Sequence, residues 1–143
     1  MKAITIHQPW ASLIAIGAKH YETRSWATKY RGPITIHASK KEALLTMWRL
    51  PKETTEAVFE TFKNNADLNF SFLNRGCVLL VADLTNVYKT EELNPSKLER
   101  MFGDWTPGRY AWELQNVRVL PSPVLAKGKQ GLWNWNEEET ACH

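Results

Sequence analysis

Lys19, Glu22 and Arg24 place an ammonium, a carboxylate and a guanidinium within six residues of chain. Residues His20 to Trp26 alternate with the period of a strand. On a strand Glu22 and Arg24 project from one face, and Trp26 continues that face. Lys19 lies in the turn just before and is expected to reach over the same surface. Lysine and arginine suit phosphate, a carboxylate accepts hydrogen bonds from a base amino group, and an indole stacks on a base. The set predicts a basic cleft for nucleic acid or a nucleotide. A Lys19–Glu22 acid–base pair could also move a proton, which makes hydrolysis of RNA or of a modified nucleoside the alternative. The competing structural reading is an ion-pair cluster that braces the preceding helix.

Three further places extend this cleft. Gln8, in His7-Gln8-Pro9-Trp10, is expected to orient a base together with Trp26. Ser39-Lys40-Lys41 stands at a predicted helix start, where free N–H groups and Lys40 can receive a phosphate. Lys127-Gly128-Lys129 is a basic loop of the kind that follows a phosphate backbone, and equally an ordinary turn. His7, His20, His37 and His143 share no ligand spacing with Cys77 and Cys142, so neither metal nor cofactor is expected. The chain carries no Walker loop, dinucleotide fingerprint or nucleophile elbow.

Strands and helices mix along the chain in an α+β pattern. Lys2 to His7 alternates as a strand, Pro9 opens a short buried helix, and Gly17 stops it. Arg31-Gly32-Pro33 reads as a turn before a second β run from Ile34 to Ala38. Ser39-Lys40-Lys41-Glu42 fits the capping box S-x-x-E and opens a helix through about Arg49. Another helix follows Pro51, with Ala57, Val58, Phe59 and Phe62 as its apolar side. Asn64 to Arg75 reads as a loop anchored by Phe70 and Phe72. Gly76 to Val87 is apolar on both faces and therefore a central strand. Tyr88 to Pro107 reads as helix or loop and is the acidic insertion, within a middle region expected to supply an acidic, solvated face. Arg109 to Leu120 reads as a long strand.

Gly17, Lys19, Glu22 and Arg24 complete the pattern G-x-K-x-x-E-x-R, flanked by His7-Gln8-Pro9-Trp10-Ala11-Ser12-Leu13. That signature resembles the activating-signal-cointegrator homology family, ASCH, a branch of the PUA-like superfamily. The flanks look most like the ASCH domain of the eukaryotic transcription coactivator after which the family is called. The resemblance is sharp over residues 6–39 and looser from Gly76 to Leu84 and from Tyr110 to Trp133. It implies a small PUA-like β-barrel with surrounding helices, and a cleft beside the signature that binds nucleic acid, RNA more than DNA. A bacterial branch that deacetylates acetylated cytidine carries threonine where this chain has Glu22. Lys19 is thus retained while the nucleophile of that branch is not. Thr23, one residue on, faces the other way on a strand.

Residues 1–50 hold eight Lys and Arg against two acids, residues 51–106 hold six against nine, and residues 107–143 hold four against four. A basic face built from the two ends suits a phosphate-binding protein. Hydrophobic residues make up 43% of the 143, enough for a single domain over the whole length with a real core. Met1 to His7 does not form the apolar run of a signal peptide, and no stretch approaches a membrane span. Two scattered cysteines fit a reducing compartment, so a cytoplasmic setting is expected.

Overall fold

In the computed structural model residues 1–65 and 73–137 are described. Alternation in the first residues makes β1 (Lys2–Ile6), and Pro9 opens α1 (Trp10–Ala15). Gly17, at φ +79°, turns the chain out of that helix. β2 (Tyr21–Arg24) and β3 (Gly32–Ala38) follow, then α2 (Ala43–Met47) and α3 (Lys52–Lys63). The long strands β4 (Cys77–Lys89) and β5 (Tyr110–Leu125) enclose α4 (Lys97–Met101), and β6 (Leu132–Asn134) comes last.

All six strands join one sheet in the order β2-β5-β4-β3-β1-β6. Only β1 and β3 run parallel, and α1 and β2 lie in the connection between them. Bulges shift the β4–β5 register at three places, which lets so long a ladder curl. The fold is α+β, with the barrel realised as a half-barrel surrounded by helices. β2 covers only Tyr110–Glu113 of β5. The remaining edge is open, so β5 runs on through Pro121 and Pro123 to Leu125, beyond the predicted end.

The concave side of the sheet buries Ile4, Ile6, Ile34, Ile36, Leu80 and Trp112 against Ala11 and Ile14 of α1. The opposite side of α1 offers Leu13 to Met47, Val58, Phe62 and Phe102. A helix apolar all round is thus explained by two cores, one on each side of it.

Several local expectations need correction. The capping box at Ser39 does not form: α2 begins at Ala43 with no side-chain cap, and Ser39 Oγ instead accepts from Lys41 N–H at 3.3 Å. The same S-x-x-E spacing recurs at Ser96-Lys97-Leu98-Glu99, where Ser96 does cap α4. There Glu99 leaves the box to accept from His20 N–H. Phe59 lies off the buried face of α3 and is 42% exposed. The acidic insertion is helix and loop around α4, but the solvated face expected of the middle region is interrupted there, because Glu99 and Phe102 are buried. Phe70 and Phe72 fall outside the described residues.

Candidate functional site

Pairing of β2 with the start of β5 sets Glu22 opposite Trp112 and Arg24 opposite Tyr110. Glu22 Oε2 accepts from Arg24 Nη2 at 2.9 Å and from Arg24 Nε at 3.1 Å. Arg24 Nη2 also donates to the Thr5 carbonyl at 2.8 Å, one residue beyond the part of β1 that β6 covers. The guanidinium therefore bridges the edge strand β2 to β1. Both side chains remain partly open, 13% for Glu22 and 23% for Arg24. They line a cleft of about 440 Å³ with Trp10, Phe102 and Arg109.

Lys19 does not reach over that surface. It is 1% exposed, with Nζ donating to the Phe102 carbonyl and lying 3.9 Å from Glu22 Oε1. The Trp10 ring centroid is 5.9 Å from the same nitrogen. After Gly17 the Ala18 and Lys19 N–H groups both return to the Leu13 carbonyl. This turn points the side chain inward, between α1 and the segment after α4. Burial lowers the Lys19 pKa, while Glu22 and Glu99 oppose that shift. Lys19 supports Glu22 from beneath and pins the Phe102 segment to β2. Enclosed in this way, Lys19 has no face open to a phosphate.

Gln8 is corrected as well. It is wholly buried, and its Nε2 donates to Ser12 Oγ at 2.8 Å and to the Asn74 carbonyl at 2.7 Å. Its Oε1 accepts from Ser12 N–H at 3.0 Å. Pro9, at the N-cap of α1, has no side chain able to cap, so Gln8 satisfies the first turn instead. Both amide donors are used and the side chain is wholly enclosed, so it does not face the cleft.

Arg24, Trp26, Lys40, Lys127 and Lys129 are brought together around a second groove of about 760 Å³. Trp26 is half-buried and edge-on to Trp112, with centroids 4.8 Å apart. Lys40, Lys127 and Lys129 are exposed. The lysine loop is held by its backbone. His37 Nε2 bonds the Ala126 carbonyl at 2.7 Å, and Thr5 Oγ1 donates to the Lys129 carbonyl at 3.2 Å. Trp133 Nε1 in turn donates to Thr5 Oγ1. Gly128 sits so close to His37 and Thr5 that no side chain fits there. The groove and the Glu22 cleft share Thr5, His7 and Arg24.

Sequence reasoning missed Thr5, His7, His37 and Arg109. Thr5 and His7 are the polar positions of the alternating first strand, so their signal was present. Burial, followed by Lys41 and Arg24, lowers the His7 pKa, and its Nδ1 lies 2.7 Å from Ser39 Oγ. Burial also lowers the His37 pKa. Arg109, whose Nη2 donates to the Thr23 carbonyl, has no local signal. Among the described residues no three His, Cys, Asp or Glu side chains cluster to hold a metal ion, and no helix is long and apolar enough to cross a membrane.

The half-barrel places the chain in a recognisable class of α+β proteins. Its fold matches crystal structures of two mutants of ZmASCH from Zymomonas mobilis, with TM-scores of 0.52 and 0.54 at 14% identity. The matches cover 99% of this chain and 94% and 92% of the bacterial chains. The family profile described as the ASCH domain matches residues 4–124, and the chain belongs to that family. It is 36% identical over 133 residues to Activating signal cointegrator 1 of Homo sapiens, and 36% identical over 136 residues to that of Mus musculus. Those matches cover 91% of this chain and 21% of the relatives, so the chain spans about a fifth of their length.

Proposed function

We propose that this ASCH domain binds nucleic acid, RNA in preference to DNA, along the groove between Arg24 and the lysine loop. The observation that carries the reading is the composition of the groove wall. Arg24, Lys40, Lys127 and Lys129 line it, and none of its lining residues is acidic among those described. Like charges gathered on a concave wall focus potential toward a polyanion. Phosphates sit on the three lysines, and Trp26 at the groove offers a ring to a base. A base entering the adjoining cleft meets Glu22, which accepts from its amino group beside Trp10. The preference for RNA rests on the family resemblance. A buried free thiol at Cys77 accords with the reducing, cytoplasmic setting read from the sequence.

The hydrolase alternative has less support. Lys19 Nζ is enclosed and committed to the Phe102 carbonyl, which keeps the lysine of the Lys19–Glu22 pair away from a substrate. Product formation by wild type that disappears in Glu22→Gln would restore that alternative.

The test is fluorescence anisotropy of labelled single-stranded RNA and duplex DNA across a salt series. Each phosphate neutralised on a single strand contributes about −0.7 to the slope of log K against log salt. Three lysine–phosphate contacts predict a slope of about −2, and Lys127→Ala/Lys129→Ala about a third of that. No binding at low salt, or an unchanged slope in the double variant, refutes the proposal.

A further inference from the structure

The lysine loop has a second side. Lys40, Lys127 and Lys129 also border a third depression of about 570 Å³, walled by Gly76, Leu125, Ala126, Trp133 and Trp135. It shares those three lysines with the basic groove, which in turn shares Thr5, His7 and Arg24 with the Glu22 cleft. The three depressions adjoin one another in series, and the lysine loop is the ridge between the second and the third. Two contacts fix the ridge at this end. Ala126 N–H donates to the Gly76 carbonyl at 3.1 Å, and Leu125 pairs with Cys77 at the start of β4. A Cβ on Gly76 would lie 3.1 Å from Lys40 Cγ, so its absence makes room for the Lys40 stem to lie between both grooves.

The two sides of the ridge share their three lysines and differ in what stands beside them. The near side adds His7, Arg24 and Trp26. The far side adds Trp135 and Leu125, which is 75% exposed, next to Asn134 and Asn136. A duplex buries its base faces in its own stack and presents phosphates, so it gains nothing from Leu125 and Trp135. A single strand presents both phosphates and unstacked bases.

We propose that one single strand passes over this ridge, its phosphates on Lys40, Lys127 and Lys129 and its unpaired bases against Leu125 and Trp135. This rests on the nucleic-acid reading above and adds its substrate class: a single-stranded polynucleotide long enough to occupy both sides. The three lysines beside Leu125 and Trp135 match a polyanion with flat apolar groups better than an acidic peptide, which lacks them.

Labelled oligouridylates of about 5 and about 15 nucleotides, within the site sizes of small single-strand binders, provide the test. Wild type binds the long probe at least about tenfold more tightly than the short one. Leu125→Glu and the neutral Leu125→Ser both collapse that ratio while short-probe affinity stays within about twofold. The exposure of Leu125 keeps both variants folded, which thermal unfolding checks. A ratio that survives in both variants overturns the inference, as does equal competition by a duplex or by an oligoglutamate of the same length. Lys127→Ala/Lys129→Ala separates the two levels. If it weakens both probes while the Leu125 variants keep the ratio, only the single-strand track falls. If it weakens neither, the nucleic-acid reading falls with it.

Discussion

Gly128→Ala tests the seating of the lysine loop with a single methyl group. The new Cβ would lie 2.6 Å from His37 Cε1, 2.8 Å from His37 Nδ1 and 2.8 Å from Thr5 Oγ1. Neither neighbour can simply turn aside. The His37 ring is 2% exposed, bonded to the Ala126 carbonyl and edge-on to Trp133 at 5.7 Å. Thr5 is tied to Trp133 Nε1 and to the Lys129 carbonyl. The loop must lift, at an overpacking cost of about 1–3 kcal/mol. Lifting also weakens the His37 and Thr5 bonds to the loop, each contributing about 1 kcal/mol. For a chain of this size each kcal/mol lowers Tm by about 3–4 °C, so a total cost of about 1–5 kcal/mol gives a fall of about 3–20 °C. Affinity for single-stranded RNA falls in the folded protein as well, because Lys127 and Lys129 leave the groove. Gly131→Ala is the control: Gly131 has φ +68° and open space at its Cβ position, so it tests backbone strain without a clash. Thermal unfolding by circular dichroism, paired with anisotropy, reads both effects. A Gly128→Ala variant with wild-type Tm and wild-type affinity would refute the seating.

Other perturbations reach the site from beneath and through protonation. Lys19→Ala should cost about 2–5 kcal/mol in urea unfolding, because it opens a cavity and leaves the Phe102 carbonyl and Glu22 without their buried cation. Lys19→Met should cost less by keeping the volume, and equal stability of Lys19→Ala and wild type would remove the bracing role. Arg24→Lys keeps the charge but cannot hold Glu22 and the Thr5 carbonyl with one planar fork. RNA affinity should drop severalfold while the salt slope stays put, and a lowered slope would contradict the geometry. His7 and His37 have pKa values lowered in the fold by burial, below the ordinary 6.5. The unfolded chain therefore binds protons more readily, and stability is lost as pH falls through about 6.5 toward the folded values. Chemical denaturation between about pH 7.5 and 5.5 should show this decline, and a flat profile would count against it.

Local pattern along the chain was enough to mark most of the elements and the family. Alternation marked β1, β2, β3 and β5, an apolar run marked β4, and Pro9 with Gly17 bracketed α1, all from information carried by adjacent residues. It also named Glu22, Arg24, Trp26, Lys40, Lys127 and Lys129, which the fold gathers around adjoining depressions. Lys19 and Gln8 were the failures, for one reason. Each is enclosed by a segment far along the chain, Lys19 by Phe102 and Gln8 by Asn74, and local pattern cannot say which surface a distant segment will cover. The capping box failed similarly: Ser39 and Ser96 carry the same spacing, and only packing decided which helix would use it. The expected grouping of residue 40 with residues 127–129 in one groove is realised only by the tertiary fold. That depends on the close approach of Gly128 to His37, a long-range contact that exists only once β3 and the segment after β5 have met.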